Sequence, residues 1–311
     1  MNLVEYAVRG CVGKTAFISG PGDFILGPGR SVAASRIHDP DVSPYCFDFA
    51  NRRLICVATP DLSGAIFFYQ AQRQYARGVI PVPFTALPPG PAAPGLIFSI
   101  GRCGSTLLVK AMEAAGVRAA SEPDFYTQAA CEGAQDASLR GPIAGATALL
   151  RYSVIKLRLE CNNAPLLIAG AFAAPRIMFI LRDPVDWAAS LRRVSRNSLD
   201  LGWAVGQLNR SLLALGELAR SYSVNICYYE DFRSLDAGRV AEALSWAGSS
   251  AAVSPEALRR VADRDAQQGS IVSRASLHDV PDDLAFRDAF RAEWSRSRPR
   301  ELIDRLGLRF V

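Results

Sequence analysis

The stretch Leu96-Ile97-Phe98-Ser99-Ile100-Gly101-Arg102-Cys103-Gly104-Ser105-Thr106-Leu107-Leu108 constrains this chain more than any other. Its first five residues form an apolar run of strand length, and Gly101 ends it. From Thr106 onward the pattern turns helical, with Leu107, Leu108, Ala111, Met112 and Ala115 on one face. Strand, short glycine-containing loop and helix N-terminus together make a phosphate cradle. Successive backbone N–H groups point outward there, and the helix dipole favours an anion. Gly104 lets the backbone approach a phosphate closely. Ser105 and Thr106 add hydroxyl donors, and Arg102 adds a fixed positive charge.

The loop is not a Walker A motif, which needs G-x-x-x-x-G-K-[ST], with Lys on the terminal phosphates and the hydroxyl on magnesium. No Lys follows Gly104, which counts against a magnesium nucleoside triphosphate. A weaker imitation lies at Gly10-Cys11-Val12-Gly13-Lys14-Thr15, where Val8 stands at the place of the first Gly. Gly13-Lys14-Thr15 reads better as a turn between strands.

A second segment complements the first. Arg176-Ile177-Met178-Phe179-Ile180-Leu181 is another buried-strand run, broken by Arg182-Asp183-Pro184. Residues 185–194 then read as helix, with Asp183 as N-cap and Pro184 at the first helical position. Arg182 therefore sits at the carboxyl end of a strand, where open parallel sheets place their ligands. Ser190 follows two turns into the helix and is expected to face the same crevice.

In order and spacing, these motifs resemble the sulfotransferase family. The loop at residues 102–108 is similar to its 5′-phosphosulfate loop, R-S-G-[ST]-[ST]-x-L. Leu181-Arg182-Asp183-Pro184 with Ser190 is similar to its 3′-phosphate site, and Tyr229-Glu230-Asp231-Phe232 to its Y-E-D-[LF] strand end. The likeness covers residues 95–274. It implies the cofactor 3′-phosphoadenosine 5′-phosphosulfate (PAPS), with the product 3′-phosphoadenosine 5′-phosphate (PAP), and in-line transfer of a sulfuryl group to an acceptor oxygen or nitrogen. Such transfers depend on positioning and charge stabilisation, and the family mechanism needs no metal. By the same likeness, Arg102, Cys103, Gly104, Ser105, Thr106 and Leu107 hold the 5′-phosphosulfate, and Arg182 and Ser190 hold the 3′-phosphate. Arg274, in the polar loop Gly269-Ser270-Ile271-Val272-Ser273-Arg274, is a candidate for the 3′-phosphate or adenine; otherwise it is a solvated Arg.

Glu122, in Ser121-Glu122-Pro123, is the candidate base for the acceptor proton. The carbohydrate and protein-tyrosine branches carry a Glu at this place, whereas the cytosolic small-molecule branch carries His, and the chain's two histidines, His38 and His278, lie elsewhere. The alternative for Glu122 is a solvated loop carboxylate or a strand-end hydrogen-bond acceptor; the functional reading is preferred because Pro123 marks a fixed turn. Lys156, ending the short strand Ser153-Val154-Ile155-Lys156-Leu157, matches a family Lys that assists the leaving phosphate, although the usual following Pro is absent; its alternative is a Lys at a strand edge. Arg102 is the surer cation. Cys103, where the family has Ser or Gly, lies at a helix N-terminus beside Arg102 and is expected to be a reactive thiol. Glu230 and Asp231 are expected to tie a strand end to neighbouring loops.

Strands expected at 96–100, 153–157, 176–181 and 224–229 alternate with helices, which argues for an α/β fold: a P-loop-type parallel sheet flanked by helices. The Pro-rich stretch at residues 87–95 divides the chain into a small N-terminal α+β extension, 1–90, and a main domain, 91–311. In the extension, strands are expected at 16–19, 46–49 and 54–58, and a helix at 66–77. The chain has 311 residues, enough for a large core, and a net charge of +5, which suits anionic ligands without demanding nucleic acid. Its seven cysteines include no C-x-x-C pair, which argues against zinc. No signal pattern or membrane span is read, so a cytoplasmic, bacterial enzyme with free thiols is expected. The acceptor is a small molecule, sugar or peptide. Two alternatives stay open: another P-loop enzyme, such as a kinase using a triphosphate, and a non-catalytic PAPS- or PAP-binding relative.

Overall fold

The computed structural model describes residues 2–12, 17–62, 65–250, 254–266, 268, 273 and 275–310. The described strands are β1 (Asn2–Cys11), β2 (Phe24–Ala33), β3 (Val42–Asp48), β4 (Arg53–Ala58), β5 (Gly78–Pro83), β6 (Gly95–Ser99), β7 (Ala119–Ser121), β8 (Val154–Lys156), β9 (Arg176–Leu181) and β10 (Val224–Tyr228). They form two five-stranded sheets, β2-β1-β5-β4-β3 and β10-β9-β6-β8-β7. The first is antiparallel. The second is the parallel sheet of an α/β fold, with β9–β10 and β7–β8 pairing in parallel and helices between the strands. The chain divides into two compact units, residues 1–96 with 119–175, and residues 97–118 with 176–311. The division into an N-terminal extension, 1–90, and a main domain, 91–311, stays a proposal.

In the first unit, strand order follows burial. Leu54, Ile55, Cys56, Val57 and Ala58 of β4 are all buried, as a strand inside a sheet requires. β1 instead alternates, with Leu3 and Glu5 buried and Asn2 and Val4 exposed. β3 is an edge, and its register slips between Pro44 and Cys46; proline is tolerated at such a place because it has no N–H to offer the ladder. The edge is partly covered. From the helix Asp124–Glu132, the Gln128 amide accepts from the Phe47 backbone N–H (2.5 Å) and donates to its carbonyl (2.9 Å). The side chain thereby stands in for a missing strand. Of the elements expected in the extension, strands at 46–49 and 54–58 correspond to β3 and β4, and the helix runs Phe68–Tyr75. The strand expected at 16–19 does not form over Phe17, Ile18 and Ser19; the chain bends at Phe17 and Ile18 instead. Ala16 and Gly13-Lys14-Thr15 lie outside the described residues.

In the second unit, β9 is an unbroken apolar run and only Arg176 is not fully buried. Phe179 stacks on Phe98, with ring centroids 6.4 Å apart. Helix starts are set by local chemistry. Asp183 accepts from the Asp186 N–H and Pro184 opens the helix Pro184–Val194. Asp200 does the same for the helix Leu201–Ser221, accepting from Trp203 at 2.7 Å.

Candidate active site

The glycine loop after β6 is a nest of left-handed backbone. Gly101, Arg102 and Gly104 have φ of 68°, 46° and 76°. For Arg102 that conformation is strained, at a cost on the order of 1–3 kcal/mol that surrounding contacts must hold. Three contacts do so. The Arg182 guanidinium donates to the Arg102 carbonyl (3.1 Å), Arg102 Nε donates to Ser190 Oγ (3.4 Å), and Trp187 Nε1 donates to the Ile100 carbonyl (2.8 Å). Gly104 is demanded twice over. Beyond its φ, a Cβ there would stand 2.3 Å from Tyr229 Cδ2. The helix Ser105–Ala114 that follows has no side-chain N-cap and no acidic residue in its first turn. With neither feature in its first turn, the helix start favours an anion. Ser105, Thr106 and Leu107 line that turn and are buried.

The cations converge on the same loop. Burial lowers the pKa of Arg102, and the charge of Arg182 lowers it further; Asp265 opposes this, while Arg193 adds to it. Arg182 lies over the ring of Tyr229, 4.8 Å from its centroid, and its Nε is buried with no hydrogen-bond partner among the described residues. A buried guanidinium N–H without a partner is costly unless a ligand completes it. Arg193 is fixed by the carbonyls of Val280 (3.1 Å) and Leu277 (2.9 Å). Glu230 accepts from the Asp183 N–H at 3.1 Å, tying the end of β10 to the loop after β9. Sequence reasoning missed Tyr229 as a plate against both Arg182 and Gly104, and missed Trp187 and Arg193. The only available signal was their position beside residues already singled out.

Cys103 belongs to this loop but is completely buried. The expected thiol reactivity is therefore corrected: a reagent meets the exposed Cys11 and Cys131 first, because Cys103 offers no surface to attack. Arg274 lies outside the described residues.

The first unit holds the carboxylate candidate. Glu122 follows β7 with φ of +62°, another non-glycine residue in the left-handed region. Its N–H donates to the Lys156 carbonyl at 2.7 Å, extending the β7–β8 ladder by one bond. Lys156 is only 3% exposed, and its ammonium is paired with the Glu122 carboxylate. The buried pairing replaces the strand-edge alternative for Lys156. Ser121, the register partner of Lys156, has a buried hydroxyl without a partner among the described residues. Two residues past Glu122, the fully buried Asp124 accepts from Arg158 Nη1 (2.7 Å) and from the Ser19 N–H (2.5 Å). Arg158 also pairs with Glu160 at 3.4 Å. Burial raises the pKa of Glu160, and Arg158 partly opposes this. Arg158 carries no motif and sequence reasoning passed over it.

Among the described residues, no group of three His, Cys, Asp or Glu side chains is placed to hold a metal ion, and no helix is long and apolar enough to cross a membrane.

No family model and no curated protein matches the chain. Among solved structures, the chain is similar to mouse sulfotransferase SULT7A1 complexed with PAP, at 12% identity and a TM-score of 0.38, over 56% of this chain and 65% of that one. It thus spans just under two thirds of that protein's length. It is also similar to retinol dehydratase in complex with retinol and PAP (14% identity, TM-score 0.41, 72% of this chain and 83% of that one). A third likeness is to a sulfotransferase from Alicyclobacillus acidocaldarius (16% identity, TM-score 0.33, 64% and 99%). At these scores the likenesses are distant and carry no functional weight.

Proposed function

We propose that the protein is a PAPS-dependent sulfotransferase acting on a hydroxyl or amine. The observation that carries this reading is the cation cluster on the glycine loop. Arg182 Nε is buried without a partner among the described residues, and burial together with the Arg182 charge depresses the pKa of the neighbouring Arg102. Two guanidiniums held together beside an uncapped helix start are completed by an anion of more than one charge. The motif pair at residues 102–108 and 181–190 matches the two ends of a nucleotide carrying separate 5′ and 3′ phosphates. The residues present fit PAPS, since the loop needs a glycine where a Cβ would strike Tyr229 and offers donors with no acidic neighbour in the first turn.

On this reading, Arg102, Cys103, Gly104, Ser105, Thr106 and Leu107 bind the 5′-phosphosulfate through N–H groups, hydroxyls and the Arg102 charge. Arg182 and Ser190 bind the 3′-phosphate, with Arg274 as a further contact. Bound there, PAPS supplies the sulfuryl group. Glu122 takes the acceptor proton on its carboxylate. Lys156 holds that carboxylate in place and supplies positive charge for the leaving phosphate. The strained φ of Glu122, fixed by its N–H bond to Lys156, supports a side chain held for a purpose rather than left in solvent.

The test is incubation with PAPS labelled with ³⁵S and a panel of hydroxyl and amine acceptors. Label transfer to at least one acceptor, abolished by Arg182→Ala, is expected. PAP binding without transfer to any acceptor would move the protein to a non-catalytic role.

A further inference from the structure

We propose that the exposed face of the helix Leu201–Ser221 is a dimer interface, on which the same helix of a second copy of this chain lies antiparallel across a two-fold axis. Trp203 and Leu213 are its apolar anchors, and Arg210 pairs across it with Glu217 of the second copy. The inference does not depend on the sulfotransferase reading.

All the residues concerned lie in the second unit. The helix has 21 residues and is about 30 Å long. One side is buried through Leu208, Leu212, Leu215 and Leu218. The opposite side carries Trp203, Gly206, Arg210, Leu213, Glu217 and Arg220, in steps of three and four. A surface helix ordinarily keeps such a stripe polar, yet Trp203 is 49% and Leu213 54% exposed. A seven-residue period is the seam along which one helix packs on another. Gly206 sits on the seam with nothing within 4 Å of where a Cβ would stand. Glycine weakens a helix interior, and the chain's own packing does not require it here; a second helix approaching closely does. Arg192 donates to the Leu199 carbonyl (2.7 Å) and to Asp283 (3.1 Å), which ties the start of this helix to that of the helix Leu284–Ser297. Leu284, itself exposed, extends the apolar surface at the Trp203 end.

Charge complementarity selects a second copy as the occupant. In an antiparallel pair, the first seam position of each heptad faces the second seam position of the other helix. One axis between Ser211 and Leu212, the middle of the helix, satisfies all three layers at once: Trp203 opposite Arg220, Gly206 opposite Glu217, and Arg210 opposite Leu213. Trp203 then meets a guanidinium. The Arg210 stem covers Leu213 while its head reaches Glu217, one turn further on. Within the chain these charges are left open. Elsewhere on the surface, helical arginines pair with a carboxylate three residues away, as in Arg239–Glu242, Arg291–Asp288 and Arg296–Glu293. Glu217 and Arg220 have the same spacing, yet Arg220 bonds the Gly216 carbonyl (3.1 Å) and Arg210 the Gln207 side chain (3.2 Å). Among the described residues, Arg210, Glu217 and Arg220 form no ion pair. A uniformly acidic or basic partner would match one sign on this face and oppose the other; a two-fold copy matches both.

The test is sedimentation equilibrium of the full chain from about 1 to about 100 µM, without nucleotide. A reducing buffer keeps the exposed Cys11 and Cys131 from cross-linking copies. The wild type is expected to pass from monomer toward twice the 33.6 kDa of one chain. Trp203→Ala should weaken association about ten-fold or more. Arg210→Glu and Glu217→Arg should each weaken it about ten-fold, and the double variant carrying both should restore it, because the pair is re-formed with its signs exchanged. Far-ultraviolet circular dichroism like that of the wild type shows that the variants are folded. The proposal is overturned if the wild type stays monomeric over this range. It is equally overturned if a dimer persists undiminished in Trp203→Ala and in both single charge variants, or if the double variant associates no better than they do.

Discussion

At the scale of single residues, Arg182 carries the account. Its side chain holds the Arg102 carbonyl and keeps a buried N–H unpaired. Arg182→Ala is expected to weaken PAP binding by about ten- to a hundred-fold, the loss typical of a hydrogen bond to a charged group. Arg182→Lys should recover only part of this, because a point charge cannot reproduce the planar fork. Glu122→Gln should leave PAP affinity unchanged and lower turnover by roughly 10²- to 10⁴-fold. Weakened PAP binding with normal turnover would reassign Glu122 to structure. Arg102, Gly104 and Arg182 were legible because their role follows from adjacency to a strand end and a helix start. Arg158 was not. It belongs to no motif, and its partners Asp124 and Phe17 are 34 and 141 residues away in the chain, so only folding brings them together.

At the scale of elements, the glycine loop and the edge of β3 each depend on one side chain. Gly104→Ala combines a left-handed φ with a contact of 2.3 Å to Tyr229. It is expected to cost about 1–3 kcal/mol in denaturant unfolding and to abolish PAP binding. Tyr229→Ala in the same background should recover part of the stability but not the φ penalty. Gln128→Ala removes both partners of the Phe47 backbone at the β3 edge, with an expected loss on the order of 1–3 kcal/mol. Element legibility followed period and length. β6, β9 and β10 are short apolar runs between loops and could be read from the sequence. β1 and β2 could not, since Gly27-Pro28-Gly29 inside β2 reads as a turn yet lies within the strand. β7 has three residues, too few for any periodicity.

At the scale of the whole molecule, acid should loosen the N-terminal sheet first. Burial would raise the pKa of Glu5, but hydrogen bonds from Arg36 and Arg30 outweigh it and hold the group below its ordinary 4.5. A hydrogen bond from Arg36, against burial, likewise holds Asp41 below 3.8. Both groups are more acidic folded than unfolded. Their stabilisation is therefore complete above about pH 4.5 and is lost as the pH falls through the folded values. Urea midpoints should drop on acidification below about pH 4.5, and Glu5→Gln should flatten that drop. A wild-type midpoint indifferent to this change would remove the network from the account. The parallel α/β sheet was foreseen from alternating strand and helix patterns. The grouping of residues 119–175 with residues 1–96 was not, because contacts such as Gln128 on Phe47 join segments with no shared sequence signal.

The central claim is that the glycine loop and Arg182 together hold a nucleotide with separate 5′ and 3′ phosphates. Calorimetric titration of the full chain with PAP, and in parallel with ATP and magnesium, tests it most directly. Saturable one-to-one binding of PAP and none of magnesium ATP is expected. Binding of magnesium ATP with no affinity for PAP would contradict it and leave Arg182 and Ser190 without the phosphate they are assigned.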